Sequence, residues 1–406
     1  MATIFAVHGA VSGSVAARMP WIAEHVGVGG SVGRLGFALV MPAIGGILTM
    51  PFAGRIVHAL GGRRATALLI GGWAASLVLI SLAPNLVTLA AVMFLSGVFA
   101  CTSDMAMNAE GIAVERELGR SVMSSLHGMW SVGGFAAGGL GWLMAHWAVD
   151  ARAHYLGVAA VLIAVGVWAS YQLPVREPEA DEEGEKAPSF AFPRGLVLVI
   201  GLVGFASICA EAASADWSAV YLVRQMGAPD AVGAIAYASF AGAMTLSRLT
   251  GDLVVRRWGP VGTVRVAGAV GVVGAVLVSV SGALGGNDAP TAARVTAIAG
   301  FALVGLGIAV VVPLAFAAAG HSAETPAGRA HAIAAVATVA YGAGLAAPGI
   351  VGGVASFTSL SVSFALVAVL VLVTALCAPV LKAGNAADLR AQEELAAAGV
   401  TGVDRV

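Results

Sequence analysis

The sequence predicts an all-α membrane protein, twelve transmembrane helices arranged as two six-helix, pseudo-symmetric bundles. Three observations predict this. Of 406 residues, 59% are hydrophobic and only 11% charged, where a soluble chain carries about 25% charged residues. The apolar residues fall in long blocks, and a helix needs about 20 such residues to cross the hydrocarbon core. Between the sixth and seventh blocks lies one dense run of acids, which divides the blocks evenly.

The first set of blocks lies near 3–24, 32–57, 65–83, 86–114, 121–147 and 154–173, and the second near 195–223, 230–254, 261–284, 291–319, 329–354 and 358–381. The first begins apolar at Ala2, without the basic leader of a signal peptide, and is read as a retained helix. The organisation expected is therefore a bundle over 1–173, a linker over 174–194, a bundle over 195–381 and a tail over 382–406. The linker holds Glu177, Glu179, Asp181, Glu182, Glu183 and Glu185 among prolines, a composition that stays solvated rather than packing. With both termini and the linker on the cytoplasmic side, only Arg18, Arg34, Arg152, Arg224 and Arg294 of the 21 Lys and Arg fall outside. That bias sets the expected orientation in the cytoplasmic (inner) membrane.

Other classes are disfavoured. Net charge is −1, so no broad basic face points to nucleic acid. Cys101, Cys209 and Cys377 are far apart within apolar blocks and make neither a disulfide framework nor a metal site. His-Glu-x-x-His and Gly-x-Ser-Gly do not occur, so the chain reads as no enzyme, with no cofactor, and as a monomer.

The two halves echo each other. Met50-Pro-Phe-Ala-Gly54 and Gly61-Gly-Arg-Arg64 follow the second block; Ser247-Arg-Leu-Thr-Gly251-Asp252 and Arg256-Arg-Trp-Gly259 follow the eighth. Trp21 and Trp217 also stand at matching places, which argues for an internal six-helix repeat. At these loops the chain resembles the major facilitator superfamily, whose signature there is Gly-x-x-x-Asp-x-x-Gly-Arg-Arg/Lys. Gly54, Gly61, Arg63 and Arg64 fit it, and His58 stands in place of the family's Asp. The resemblance implies gating roles for Gly54, His58, Arg63, Arg64, Arg248 and Asp252. Arg248 and Asp252, one turn apart, suit an ion pair at the membrane edge.

A narrower resemblance rests on Asp104-Met-Ala-Met-Asn108, Val114-Glu115-Arg116, Gly119-Arg120, Met123-Ser-Ser-Leu-His127-Gly-Met-Trp130-Ser131, Glu211 with Asp216-Trp217-Ser218, and the Pro313 segment. These are similar to an uncharacterised bacterial group related to the fucose:proton symporters, whose fourth helix carries an acid four residues before an Asn. What this implies is proton-coupled secondary transport of a small polar, sugar-like solute by alternating access.

The residues themselves point to the same place. An ionisable group in hydrocarbon costs about 2.5–3.5 kcal/mol on the insertion scale. Asp104, Glu211 and Asp216 lie deep in apolar blocks and are the candidates for proton coupling. Asn108 shares a helix face with Asp104, and His127, Trp130 and Ser131 fall at comparable depth on the next block. With His8 and Ser12, which share a face of the first block, they are the candidate solute ligands. A purely structural strut between the fourth and fifth blocks accounts for the same trio of Asp104, Asn108 and His127. Glu211 and Asp216 point roughly 140° apart on their helix, so one pocket need not hold both. Trp217 reads as an interfacial anchor, Arg18 as a snorkelling side chain or an attractor of anions, and Glu110 and Glu115 as partners of Arg116 and Arg120. Two rival functions stay open: efflux of an amphipathic metabolite or drug, through a cavity lined by Trp130, Phe135, Trp217 and Phe240, and sensing without flux.

Overall fold

The computed structural model describes residues 1–118, 123–174, 194–285, 289–322 and 326–382. Among them every regular element is helical. In chain order these are α1 (Ala2–Ala17), α2 (Met19–His25), α3 (Val32–Leu60), α4 (Gly62–Leu82), α5 (Leu86–Leu118), α6 (Met123–His146) and α7 (Ala151–Tyr171). They are followed by α8 (Gly195–Val220), α9 (Asp230–Gly285), α10 (Thr291–Ile308), α11 (Val311–His321), α12 (Pro326–Phe357) and α13 (Leu360–Leu376). Nothing but helices satisfies backbone polar groups within an isolated spanning segment.

The helical runs follow the twelve apolar blocks in order. The first block is α1 and α2, split at Arg18, with Pro20 opening the second piece, where its missing N–H costs nothing. α9 covers the eighth and ninth blocks and is broken at Gly259, whose φ of 68° only glycine adopts readily, just before Pro260. The equivalent turn in the first half is Gly61, φ 73°, between α3 and α4. The two echoing loops thus make the same left-handed bend. Among the described residues seven helices are each long and apolar enough to cross a membrane, and an eighth does so if the bent pair Thr338–Gly344 and Ala346–Phe357 is one span. Ala2–Ala17 and Leu360–Leu376 are shorter apolar helices. The acidic run at 175–193 and the tail from 383 lie outside the described residues.

Most hydroxyls within the apolar blocks are silenced locally. Thr49, Thr102 and Thr245 donate to the carbonyls of Gly45, Val98 and Ala241 one turn back, at 2.7, 2.6 and 2.8 Å. Asp150 caps α7, accepting from the backbone of Arg152 and Ala153 at 2.9 and 3.1 Å. In the second half Tyr221, Phe301 and Phe364 pack edge to face with centroids 5.0–5.7 Å apart, and the Tyr221 hydroxyl donates to the Val278 carbonyl.

Within the first half α1 packs on α6, α3 on α5 and α4 on α7; within the second, α10 packs on α9, α12 on α8 and α13 on α9. The most extensive pairings between the halves are α6 with α9 and α3 with α12. At the second, a Cβ on Gly352 would stand 2.9 Å from the Gly36 Cα, so two glycines let the backbones touch. The next residue, Gly353, has nothing within 4 Å of its Cβ position, so Gly352 makes the crossing. Trp217 lies over this crossing, 0% exposed, 3.2 Å from a Cβ at Gly352. The reading of Trp217 as an interfacial anchor is therefore corrected: its ring fills the junction of the halves, with no part left for the membrane surface.

Candidate functional site

Asp104 and Asn108 lie on α5, Trp130 and Ser131 on α6, and His8 on α1. His8 ties the three helices together. Its Nδ1 accepts from the Trp130 indole at 3.0 Å, and its Nε2 lies 3.2 Å from the Ala100 carbonyl, one turn before Asp104. Those two bonds require a donor on Nε2 and an acceptor on Nδ1, which is a neutral imidazole of fixed tautomer. His8 is buried and both its nitrogens are engaged, so it holds Trp130 rather than offering a free group to a solute. Ser12 is half-buried and makes no hydrogen bond among the described residues.

Asp104 is exposed although it lies mid-helix, and its carboxylate makes no hydrogen bond among the described residues. Asn108, half-buried, turns its amide back onto the Asp104 carbonyl at 2.8 Å. His127 is exposed as well, edge-on to Phe5 with centroids 5.2 Å apart. The charges of Asp104 and Arg248 both reach the His127 ring. The structure thus brings Asp104, His127, His8 and Trp130 to one place.

Arg248 provides the link to the second half. From α9 its Nη1 donates to Ser131 Oγ at 2.8 Å, and its Nη2 lies 3.0 and 3.1 Å from the two Glu211 oxygens on α8. The two side chains are 23% and 22% exposed, so the pair is neither a freely screened surface bridge nor fully desolvated. Arg248 thus links Glu211 to Ser131 of the other half; the pairing expected with Asp252 rests on a side chain outside the described residues, as are those of Gly54 and His58. Asp216, half-buried, has no hydrogen bond among the described residues. Its charge and that of Glu211 both reach Tyr237, a buried α9 side chain whose hydroxyl lies 3.3 Å from a Cβ at Gly134 on α6.

The remaining expected gate residues go elsewhere. Arg63 stacks its guanidinium 4.8 Å over the Tyr171 ring, and Arg64 is exposed. Glu110 is buried, and its carboxylate fills the space left by Gly62 at the start of α4, where the helix dipole favours an anion. Side chains of Glu115, Arg116 and Arg120 lie outside the described residues. Arg18 is 4% exposed and donates to the Val149 carbonyl at 2.8 Å, so it neither snorkels nor faces the solute path. An ion pair between the halves was not foreseen: Arg224 Nη2 lies 2.9 Å from Glu24 Oε1, beside Gly29, at the end of the bundle that holds Trp217. No sequence signal singles out Tyr237, Glu24 or Arg224: Glu24 and Arg224 stand at block ends, and Tyr237 lies in an apolar block without a charge or a motif.

Carboxylates and imidazoles set in apolar helices where two helical halves meet fit a membrane carrier, and comparison with known proteins makes that specific. The family model described as Major Facilitator Superfamily matches residues 1–346. The uncharacterised transporter y4wD of Sinorhizobium fredii is 32% identical over 381 residues, covering 93% of this chain and 96% of that protein. An uncharacterised MFS-type transporter of Yersinia pestis is 34% identical over 362 residues, 88% of each. Among solved structures the nucleoside transporter NupG superposes with a TM-score of 0.70 at 14% identity, covering 94% of this chain and 97% of that one. A bacterial homolog of the human lysosomal transporter Spinster, inward-facing and occupied, superposes at 0.68, also at 14% identity, covering 94% of this chain and 95% of that one. The chain belongs to the major facilitator superfamily and is a multi-pass membrane transporter, not an enzyme.

Proposed function

We propose that the protein is a proton-coupled transporter of a small polar, sugar-like solute, working as a monomer by alternating access of the 1–173 and 195–381 bundles, joined by the 174–194 linker. Both termini, with the 382–406 tail, lie on the cytoplasmic side of the inner membrane. The observation that carries this reading is the contrast between two of the membrane acids. Asp104 is solvent-accessible with a free carboxylate, whereas Glu211 is held by Arg248. A proton carrier must be reached by water and must be free to ionise, and Asp104 meets both conditions.

Asp104 then takes the proton, and Asn108, His127 and Trp130 contact solute, with His8 fixing the indole. Glu211 and Arg248 join the halves through Ser131 and release them when solute or a proton competes for either partner. In the proposed orientation the Glu24–Arg224 pair and the Trp217 junction close the outer end, so the conformation faces inward. Efflux of an amphipathic molecule is less well supported. Of its expected lining, Trp217 and Phe240 are 0% and 3% exposed and locked in packing.

The test is uptake in proteoliposomes with an internal pH dye, after a solute library has been screened by thermal stabilisation at two pH values. Asp104→Asn should abolish proton-coupled uptake without lowering the thermal midpoint. Full coupling in that variant removes Asp104 from the mechanism, and an absence of flux for every stabilising solute favours a sensor.

A further inference from the structure

Away from the cleft, a cavity of about 520 Å³ lies between α1, α6 and α7. It is lined by Ser14, Leu140, Met144, His154, Gly157 and Val161, and its walls are almost wholly apolar. Leu140 and Val161 are 39% and 60% exposed at its rim, on a surface that faces lipid in a spanning bundle. Ligand sites commonly have this size and this mostly apolar lining with a few polar groups.

The polar groups at its border are unusual. His154 is 4% exposed, and neither ring nitrogen has a hydrogen-bond partner. The Arg18 Nε, on the neighbouring helix break, is also buried without a partner, and the charge of Arg18 reaches the His154 ring. Ser14 is already satisfied by the Ala10 carbonyl. Buried donors left unpaired each cost about 1–3 kcal/mol, so they call for an acceptor. These groups lie at the α6–α7 turn, beside the exposed rings of Trp142 and Trp147, which mark the level of the interface where lipid esters and phosphates reside.

We propose that this cavity holds one acyl chain of a membrane glycerophospholipid from the leaflet on the side of the α6–α7 turn, with the lipid's ester or phosphate oxygens accepting from His154 and Arg18. The apolar walls take the chain, and the two donors select an oxygen-rich head over a plain hydrocarbon. This site is independent of the solute path, and its test needs no transport.

The probe is a phosphatidylethanolamine bearing a diazirine on its acyl chain, in vesicles of phosphatidylethanolamine and phosphatidylglycerol. Photolabelling should concentrate on Leu140, Met144 and Val161 over Leu202 and Val369, exposed side chains elsewhere on the bundle. A Cβ at Gly157 meets nothing within 4 Å, so Gly157→Leu fills the cavity without disturbing its packing. That variant should cut labelling several-fold, and His154→Leu should lower the phospholipid retained through detergent exchange, read by native mass spectrometry. Even labelling of all faces, or labelling indifferent to Gly157→Leu, would mean ordinary boundary lipid and overturn the proposal. Displacement of the label by an apolar organic cation but not by unlabelled phospholipid would also overturn it, and would give the cavity to an amphipathic solute.

Discussion

Asp104 in the first half and Glu211 in the second are both carboxylic acids deep within apolar helices, yet their surroundings are opposite. Asp104 faces an accessible space, with a carboxylate that nothing among the described residues holds and a histidine nearby. Glu211 is clamped by a guanidinium that also grips Ser131 in the other half. The insertion cost of the Glu211 carboxylate is offset by an ion pair, whereas Asp104 is left exposed without one among the described residues. The difference separates a carboxylate with no hydrogen bond among the described residues from one paired with the guanidinium that also bonds Ser131 of the other half.

Breaking this contrast has graded consequences. The largest belongs to Asp104→Asn, which should bring proton-coupled uptake to background, whereas Glu211→Gln should retain a measurable part of it; equal loss in both would erase the distinction. Next is Arg248→Ala. It strands Glu211 and should cost about 1.5–3 kcal/mol, the range for hydrogen bonds to charged groups. A thermal-unfolding double-mutant cycle with Glu211→Ala sharpens this, since the double variant should recover much of the loss if the pair acts as a unit. Ser131→Ala removes one neutral acceptor from Arg248 and should cost about 1 kcal/mol. It should weaken the link between halves more than either bundle, seen as faster exchange of Trp217 between buried and exposed states by fluorescence quenching. The smallest effect on stability belongs to Asn108→Ala. Its amide bonds only the carbonyl of its own helix, so the midpoint should move by no more than about 0.5 kcal/mol. A clear rise in the solute concentration for half-maximal uptake is expected nonetheless, because the freed amide is the proposed ligand.

Much of the fold could be read directly. Length, apolar blocks and the echo of the Gly61 and Gly259 turns follow from local composition, and both glycines take the positive φ that such a repeat requires. The first-half cluster was legible as well, since Asp104 and Asn108 lie one turn apart and His127 and Trp130 follow on the next helix. His8 was foreseen as a neighbour but not as the strut beneath Trp130. The contact of Arg248 with Glu211 and Ser131 was not foreseen, and Trp217 was misplaced at the membrane surface.

The reason lies in what each kind of information depends on. A stretch of apolar residues determines by itself that it spans the membrane, because the energy of leaving water sums along the segment. The same energy determines by itself that an acid within it needs water or a partner. Which of the two it finds depends on the rotation, depth and crossing of helices far apart in the chain. Close contacts such as Gly36 against Gly352 set the crossings between the halves, and the packing of α8 on α9 brings Arg248 to Glu211, while Asp104 has no hydrogen-bond partner among the described residues. The sequence determined the class of protein and which acids lie within apolar helices; the tertiary structure decided that Glu211 is held and that Asp104 has no hydrogen bond among the described residues.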